Sequence, residues 1–440
     1  MAKGLLRSGI AAMSVKLAAA GLSYAMFVVL SRWLGAETYG RFAAAFSAGT
    51  FLSFVMLVGL HTEVLRMLPR LEDGAEKHAD ERWAFLAGAW RALGASIGLF
   101  VIVGVGVAIA AAMFGRAQWA GMLMSAVAVA GSLALAEFLA SMFRALGVVN
   151  IALVPRDVLW RGLVLAAVLT LSLAHVEGDF VLAMGLTVLF LLLALGLQLF
   201  WGRKLLPAKG VAPQTIPSAR TLIWDARWLA AAALASNLLQ PLAVVAVGAV
   251  LSYADSGVFF AAQKTAALLS LPLIAMNMIG APQIARAWAA GDKTEVQRIC
   301  THVAVTATAG TLAGLVIVLG FSGNLLAVFN PAYRSEGAIL IILSLGNLVN
   351  TLAGPAGYLM LMTGHEKRFV LISAVAQMSG ILTVLIGGTL FGLAGAGWGE
   401  VVGVVIFNVV MWGAGYRMLG VDSSVISSVR ASFGKQRSLD

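Results

Sequence analysis

The stretch Phe180–Trp201, with the sequence FVLAMGLTVLFLLLALGLQLFW, contains no charged residue and lies between Asp179 and Arg203. A helix of about 20 consecutive apolar residues crosses the hydrocarbon core of a bilayer. Similar runs recur along the chain of 440 residues, of which 60% are apolar and 11% charged. A soluble domain carries about 25% charged residues, because a compact fold needs polar cover. The composition therefore predicts an all-α, polytopic integral membrane protein and excludes the soluble and disordered classes.

Twelve apolar spans are predicted, each bounded by charged or turn residues. The first runs from Gly9 to Leu34, which is too long for the core of a signal peptide, so we expect a retained helix. The spans divide into two six-helix lobes separated by a polar stretch rich in proline. We expect the following organisation: a first lobe over 1–202, a cytoplasmic linker over 203–227, a second lobe over 228–417 and a solvated cytoplasmic tail over 418–440.

The distribution of basic residues predicts the orientation in the membrane. Of the 30 Lys and Arg residues, 24 fall in loops on the side of the N-terminus and four on the other side. Cytoplasmic loops carry the excess of Lys and Arg, so both termini are predicted in the cytoplasm, with the protein in the cell (inner or plasma) membrane. The same rule accounts for the net charge of +10 without a nucleic-acid partner.

The two lobes show a weak internal repeat. A shift of 217 positions aligns Gly40–Ala45 (GRFAAA) with Gly257–Ala262 (GVFFAA). With six helices in each half, both halves face the same way, and the repeat axis runs along the membrane normal. This pseudo-two-fold architecture is typical of secondary transporters, whose substrate site lies between the lobes.

Motifs for enzymatic chemistry are absent from the sequence. There is no G-x-x-x-x-G-K-[ST] loop and no H-E-x-x-H pair. A single cysteine, Cys300, and five scattered histidines do not make a metal site. We therefore expect no enzyme activity, no cofactor and no bound metal.

Several ionisable residues fall inside the predicted spans, where each costs at least about 2.5–3.5 kcal/mol on insertion scales. Lys16 and Lys264 either snorkel to the interface or line a cavity. Glu63 and Arg66, spaced i, i+3, form either an interfacial ion pair or a cytoplasmic gate or binding cluster. Glu137 either pairs loosely with Arg144 on a similar helix face or serves as a proton or cation site.

Polar residues also interrupt the spans of the second half. Glu400 lies within Gly395-x-x-x-Gly399-x-x-x-Gly403, a ridge suited to close helix contact, and is either an interfacial cap or a coupling site, of which we expect the cap. Amides such as Asn277, together with prolines that weaken helices, indicate either a polar interior or plain hydrogen bonding between helices.

Several motifs resemble those of one transporter family. Leu30–Phe42 (LSRWLGAETYGRF) resembles the L-x-R-x-L-G-x-x-x-Y-G-x-F signature of Wzx-type polysaccharide flippases, members of the MOP (multidrug/oligosaccharidyl-lipid/polysaccharide) exporter superfamily. Phe329–Tyr333 (FNPAY) is similar to the family's F-G-x-x-Y loop, with Asn330 in place of the usual glycine. Thr363–Lys367 and Gly392–Ala396 also look like family segments.

The resemblance implies a two-lobed, alternating-access transporter that flips a polyprenyl-diphosphate-linked oligosaccharide to the outer leaflet. Relatives place basic residues in helices 1, 2 and 8, which here contain Lys16, Arg66 and Lys264. With Asn277, these are the expected substrate-binding residues, and Glu63 and Glu137 are the candidates for coupling to H⁺ or Na⁺.

The other expected partners are membrane lipids and the polymerase and glycosyltransferases of the same pathway. The aromatic side chains of Trp160, Tyr358 and Trp398 are candidates for contact with the sugars. The principal alternative is a multidrug/cation antiporter of the same superfamily, which needs an acidic cavity. A third alternative, a scaffold for glycan assembly, has no need of two related lobes.

Overall fold

The computed structural model describes the backbone of residues 2–71, 79–205 and 218–427. The chain divides into two compact units, Met1–Asn237 and Leu238–Asp440. The sequence predicted the start of the second lobe at residue 228, whereas the structure groups the helix before Asn237 with the first unit because that helix packs there. Residues 206–217 of the predicted linker and 428–440 of the predicted tail lie outside the described residues.

In the described part of the first unit there are eight α-helices, one of which is central. They are α1 (Ala2–Leu57), α2 (Leu60–Met67), α3 (Ala79–Met113), α4 (Ala117–Ala145), α5 (Val149–Leu153), α6 (Trp160–Leu173), α7 (Phe180–Gly202) and α8 (Ala219–Asn237). A π-helical turn, Val154–Leu159, joins α5 to α6. Helix α4 packs against α1, α2, α3, α5 and α7 and forms the middle of the unit.

In the second unit, the described residues form seven α-helices. They are α9 (Leu239–Val250), α10 (Tyr253–Ala267), α11 (Leu271–Ala289), α12 (Lys293–Ala327), α13 (Gly337–Leu352), α14 (Ala356–Met362) and α15 (Glu366–Leu419). Helix α15 packs against α9, α13 and α14, and α12 packs against α11 and α13. Side chains cap several helix starts, as where Asp292 Oδ1 accepts a hydrogen bond from Glu295 N at 2.9 Å.

Eight described helices are long and apolar enough to cross a membrane, or nine if the broken pair α8–α9 is one span. Two of these helices cover two of the twelve predicted spans each. Gly35 (φ +73°) interrupts the helical conformation of α1 and Gly392 (φ +65°) that of α15, so each consists of two helices joined at a kink. At about 1.5 Å per residue, the parts 366–391 and 393–419 of α15 are each long enough to cross a bilayer core of about 30 Å. The predicted span Val158–Ala174 corresponds to the 14-residue α6, which is preceded by the π-helical turn.

The glycine ridge of α15 makes the close contact that the sequence predicts. The two parts of α15, before and after Gly392, lie side by side. A Cβ atom added to Gly399 would lie 2.4 Å from the backbone nitrogen of Val384, and one added to Gly403 would lie 2.7 Å from Cα of Gly380. Thr383 Oγ1 donates a hydrogen bond to the Gly399 carbonyl at 2.8 Å. The absence of side chains at these positions is therefore what allows the two parts to meet.

The segment after α15 differs from the solvated tail that the sequence predicts. Val421, Asp422, Ser423 and Ser424 are buried. The side-chain amide of Gln297 on α12 donates to the Asp422 carbonyl at 2.7 Å and accepts from Asp422 N at 2.8 Å. Asp422 Oδ1 in turn accepts from Nε1 of Trp412 at 2.8 Å. We call this contact the C-terminal clip; it ties residues just beyond α15 to α12 and to α15 itself.

Candidate functional site

A cluster of five charged side chains lies where α4 meets the π-helical turn and the start of α6. We call it the arginine cluster, and it consists of Glu137, Arg144, Arg156, Asp157 and Arg161. Arg144 Nη2 lies 3.2 Å from Glu137 Oε1, and Arg156 Nη2 contacts Glu137 Oε2. The Glu137 side chain is 16% exposed, so its carboxylate bridges two guanidinium groups in a mostly buried setting. The pairing that the sequence leaves open for Glu137 and Arg144 is present.

The second carboxylate of the arginine cluster connects two further guanidiniums. Asp157 Oδ1 lies 3.7 Å from Arg156 Nε and 3.8 Å from Arg161 Nη1. Three guanidiniums thus face two carboxylates, which leaves an excess of one positive charge. A mostly buried charge without an oppositely charged partner is costly, so this excess marks a candidate functional site.

The π-helical turn positions these residues. It has the sequence VPRDVL, and Pro155 near its start has no backbone N–H for a helical hydrogen bond. The Arg156 carbonyl accepts a hydrogen bond from Nε1 of Trp160 at 2.5 Å. Single π-helical turns inside α-helices are frequent at functional sites. Trp160 is 1% exposed, so it supports the turn from within the unit and is not available to a sugar.

A left-handed turn before α2 brings further polar groups to the arginine cluster. Both Val58 (φ +46°) and Gly59 (φ +77°) have positive φ, and His61 then lies within electrostatic range of Glu137, Arg144 and Arg156. His61 is 9% exposed, and its Nδ1 has no hydrogen-bond partner among the described residues.

The predicted ion pair of α2 is confirmed. Arg66 Nη2 lies 2.9 Å from the Glu63 carboxylate. The Glu63 side chain is 5% exposed and that of Arg66 is 47% exposed, so the arginine reaches outward from a buried acid.

In the second unit, a buried carboxyl group meets an amide. Gln263 Nε2 on α10 donates to Glu400 Oε2 on α15 at 2.6 Å and lies 3.2 Å from the Gln240 carbonyl on α9. Glu400 and Gln263 are 6% and 7% exposed. Gln263 therefore joins three helices inside the unit, and Glu400 is buried there rather than placed as an interfacial cap.

The other predicted binding residues are spread over both units. Lys264 is half-buried, its Nζ lies 4.7 Å from the centre of the Phe260 ring, and its charge acts on Glu400. Asn277 is buried, and its Oδ1 has no hydrogen-bond partner among the described residues. Lys16 is exposed on α1. The structure brings Glu63 and Arg66 together in the first unit and leaves Lys16 apart from that pair.

The sequence predicts that amide side chains of the second half either form hydrogen bonds between helices or line a polar interior. Gln377 Oε1 accepts from Leu239 N at 2.5 Å, and Ser270 Oγ donates to Asn347 Oδ1 at 2.6 Å, so these two amides join helical segments. Asn277, by contrast, is buried, and within the described part of the chain its Oδ1 accepts no hydrogen bond.

Replacing Gln263 by leucine is expected to destabilise the protein, because the Glu400 carboxyl group loses its amide donor in a buried site. Such a loss costs about 1–3 kcal/mol. The double variant Gln263→Leu/Glu400→Leu is expected to recover most of it, since an apolar pair leaves no polar atom unsatisfied. Thermal unfolding of the purified protein in detergent measures both. Gln283→Leu, at an exposed position of α11, is the matched control. Equal losses for Gln263→Leu and Gln283→Leu would contradict the prediction.

Sequence reasoning did not single out Arg156, Asp157 and Arg161 as a site. Two of them lie in the stretch V-P-R-D, which directly precedes the predicted span Val158–Ala174, and the sequence analysis places this stretch in a cytoplasmic loop. The pair Gln263–Glu400 is separated by 137 positions, and no local spacing indicates it. Among the described residues, no group of three or more His, Cys, Asp or Glu side chains could hold a metal ion.

The chain matches no protein-family model and no curated protein. Solved structures do match it. An inward-facing multidrug resistance MATE family transporter of the MOP superfamily has a TM-score of 0.71 at 15% identity, covering 94% of this chain and 98% of that chain. The outward-facing conformation of such a transporter has a TM-score of 0.58 at 15% identity, covering 95% and 96%. A MOP superfamily transporter from Pyrococcus furiosus has 0.60 at 14% identity, covering 94% and 95%. The chain is therefore a multi-pass membrane protein with the two-lobed helical fold of the MATE and MOP transporters.

Proposed function

We propose that the protein is an alternating-access transporter that moves a polyprenyl-diphosphate-linked oligosaccharide from the cytoplasmic to the outer leaflet of the cell membrane. Both termini are then cytoplasmic, and the product feeds the synthesis of surface polysaccharide. The observation that carries the proposal is the excess of guanidinium groups in the arginine cluster.

The chemistry of the substrate explains the need for buried cations. The isoprenoid tail of a lipid-linked glycan stays in lipid, whereas its diphosphate and sugars cannot cross hydrocarbon unaided. Guanidinium groups exchange the hydration of phosphate for charge-assisted hydrogen bonds, often in pairs. The aromatic side chains of Tyr358 and Trp398 are 44% and 50% exposed, and we propose them as contacts for the sugars.

The described residues are less suited to binding the alternative substrate, a cationic drug. A cation needs a carboxylate without a competing positive partner. Glu63 is paired with Arg66, and Glu137 with two arginines. Glu400 contacts Gln263 and lies near the charge of Lys264. Each of these acids thus already has a cationic or amide partner.

A multidrug or cation antiporter is the second candidate, and the descriptions of the similar structures support it. The similar structure with a TM-score of 0.71 is described as a multidrug resistance transporter. The Pyrococcus furiosus transporter is described as having a binding pocket of reverse polarity, which suggests a different function for that protein. A shared fold does not specify the substrate, so the charge of the site has to distinguish the two candidates.

Within this proposal, Lys16, Arg66, Lys264 and Asn277 bind the substrate, and Glu63 and Glu137 are the candidates for coupling to H⁺ or Na⁺. Membrane lipids surround the transporter. Glycosyltransferases and a polymerase supply its substrate and consume its product.

Deletion of the gene tests the proposal. We expect lipid-linked glycans stranded in the cytoplasmic leaflet and loss of surface polysaccharide, both restored by the intact gene. Normal surface glycan combined with increased sensitivity to cationic drugs would instead establish the antiporter. Measuring the leaflet of the extracted intermediates alongside drug susceptibility separates the two.

In the complemented strain, Lys264→Ala is expected to lower the export of glycan several-fold, because a half-buried ammonium group is lost from the second unit. Quantitative surface-glycan staining, normalised to the amount of protein in the membrane, measures the effect. Arg298→Ala is the matched control, since it also removes one positive charge but at a side chain that is 81% exposed. Unchanged export in Lys264→Ala rules out this role for Lys264.

A further inference from the structure

We propose that Glu137 is an internal anion that occupies an anion-binding site formed by Arg144 and Arg156, and that a diphosphate exchanges with it. This inference rests on the proposed function and deepens it, since it places the diphosphate of the substrate at the arginine cluster.

The geometry around Glu137 is that of an occupied anion site. Its two carboxylate oxygens each face a different guanidinium, Oε1 that of Arg144 and Oε2 that of Arg156. The two arginines come from separate elements, α4 and the π-helical turn. Guanidinium groups bind carboxylate and phosphate oxygens by the same planar arrangement of N–H donors. A phosphate group in the place of the carboxylate therefore finds the same donors.

Other contacts hold the two guanidiniums in place when Glu137 leaves. Arg144 Nη2 donates to Ser141 Oγ at 2.8 Å, and Arg144 Nε lies 3.4 Å from the Ala140 carbonyl. Arg156 Nε lies 3.7 Å from Asp157 Oδ1. The donors are thus positioned before the ligand arrives, which reduces the cost of binding.

The charges of the arginine cluster fit a diphosphate diester better than they fit Glu137. Without Glu137, the guanidiniums of Arg144, Arg156 and Arg161 face only Asp157, which leaves two positive charges. A diphosphate linked at both ends carries two negative charges at neutral pH. Once the Glu137 carboxylate has turned away from Arg144 and Arg156, the two negative charges of the diphosphate match the two positive charges that remain in the arginine cluster.

His61 offers a further group to the incoming anion. It comes from α2, is buried, and has an Nδ1 atom without a hydrogen-bond partner among the described residues. It lies within electrostatic range of Glu137, Arg144 and Arg156. A buried polar atom without a partner is costly, and in the tautomer with the proton on Nδ1 this atom donates a hydrogen bond to a ligand oxygen.

Titration of the full-length protein in phosphatidylcholine nanodiscs with inorganic pyrophosphate tests the exchange. Because Glu137→Gln removes the competing anion and keeps the size of the side chain, it is expected to tighten pyrophosphate binding about tenfold. Arg156→Gln is expected to weaken binding about tenfold relative to the unaltered protein, and Arg156→Lys by less, because lysine keeps the charge without the paired donors.

The matched control is Glu295→Gln, which removes a carboxylate that is paired with Arg298 in the second unit. It is expected to leave pyrophosphate affinity unchanged. Pyrophosphate affinities are compared only among variants whose melting temperature equals that of the unaltered protein. If Arg156→Gln unfolds, Arg156→Lys takes its place in the comparison. Unchanged or weaker binding in folded Glu137→Gln overturns the exchange.

Farnesyl diphosphate in the same nanodiscs distinguishes the source of the anion. If farnesyl diphosphate binds more tightly than pyrophosphate, and if Arg156→Gln weakens its binding by the same factor, the ligand is a lipid-linked diphosphate. Equal affinity for both probes assigns a free diphosphate and overturns the lipid-linked part of the inference. If pyrophosphate exchanges with Glu137 in nanodiscs but the deletion strain has normal surface glycan, the proposed function is wrong and this inference stands. If the deletion strain loses its surface glycan but no exchange is seen in nanodiscs, this inference is wrong and the proposed function stands.

Discussion

Replacing Gly399 by valine is expected to prevent the second unit from folding. A Cβ atom at this position would lie 2.4 Å from the carbonyl carbon of Thr383 and from the backbone nitrogen of Val384. These are backbone atoms of the facing part of α15, so no side-chain rotation relieves the overlap. Overpacking of a core costs about 1–3 kcal/mol even where side chains give way. We expect the loss at Gly399 to reach or exceed the upper end of that range.

The fraction of monodisperse protein in size-exclusion chromatography after detergent extraction measures this loss. Gly413→Val is the matched control, because it is the same substitution in the same helix and a Cβ atom at Gly413 meets nothing within 4 Å. We expect Gly413→Val to elute like the unaltered protein. A monodisperse Gly399→Val at equal yield would show that the two parts of α15 separate easily.

Replacing Gly59 by alanine is expected to have the second large effect, in the first unit. Gly59 has φ +77°, and an alanine in this left-handed conformation costs about 1–2 kcal/mol. Its Cβ atom would also lie 2.5 Å from the backbone nitrogen of Ala230 and 2.6 Å from the carbonyl oxygen of Ala226, both on α8. Strain and overlap act together here, so the variant is expected to displace α2 from α8 and His61 from the arginine cluster.

Gly115→Ala separates the two contributions to the effect at Gly59. Gly115 has φ +72°, and a Cβ atom there meets nothing within 4 Å, so only the strain remains. The melting temperature in detergent is expected to fall several times further for Gly59→Ala than for Gly115→Ala. Equal shifts for the two variants would mean that α8 yields to the methyl group without cost.

The membrane class and the helical fold follow from hydropathy alone, because a bilayer leaves few alternatives to helices. The bends were not predictable in the same way. Gly35 and Gly392 lie among 48 glycines, and the sequence does not show which of these adopt positive φ. Whether the backbone bends at such a residue depends on what packs around it, so hydropathy predicts the spans on either side of Gly35 and Gly392 but not the conformation that joins them.

The candidate site was predictable where its contacts are local. Glu63 and Arg66 are three residues apart, and Glu137 and Arg144 are seven apart, so helical periodicity places each pair on one face. Arg156 and Asp157 escaped prediction because a π-helical turn changes that periodicity. Glu400 was predicted at an interface because its partner Gln263 comes from another helix far away in the sequence.

The C-terminal clip also sets an order of events during synthesis. Gln297 and Asp422 are 125 positions apart, and every helix between them precedes Asp422 on the growing chain. Gln297 therefore waits for its partner until Asp422 has been translated. Domains otherwise tend to form in sequence from the N-terminus during synthesis. The second unit thus completes this contact only after all of the helices α9–α15 have been made, and a ribosome that stalls before Asp422 leaves α12 without it.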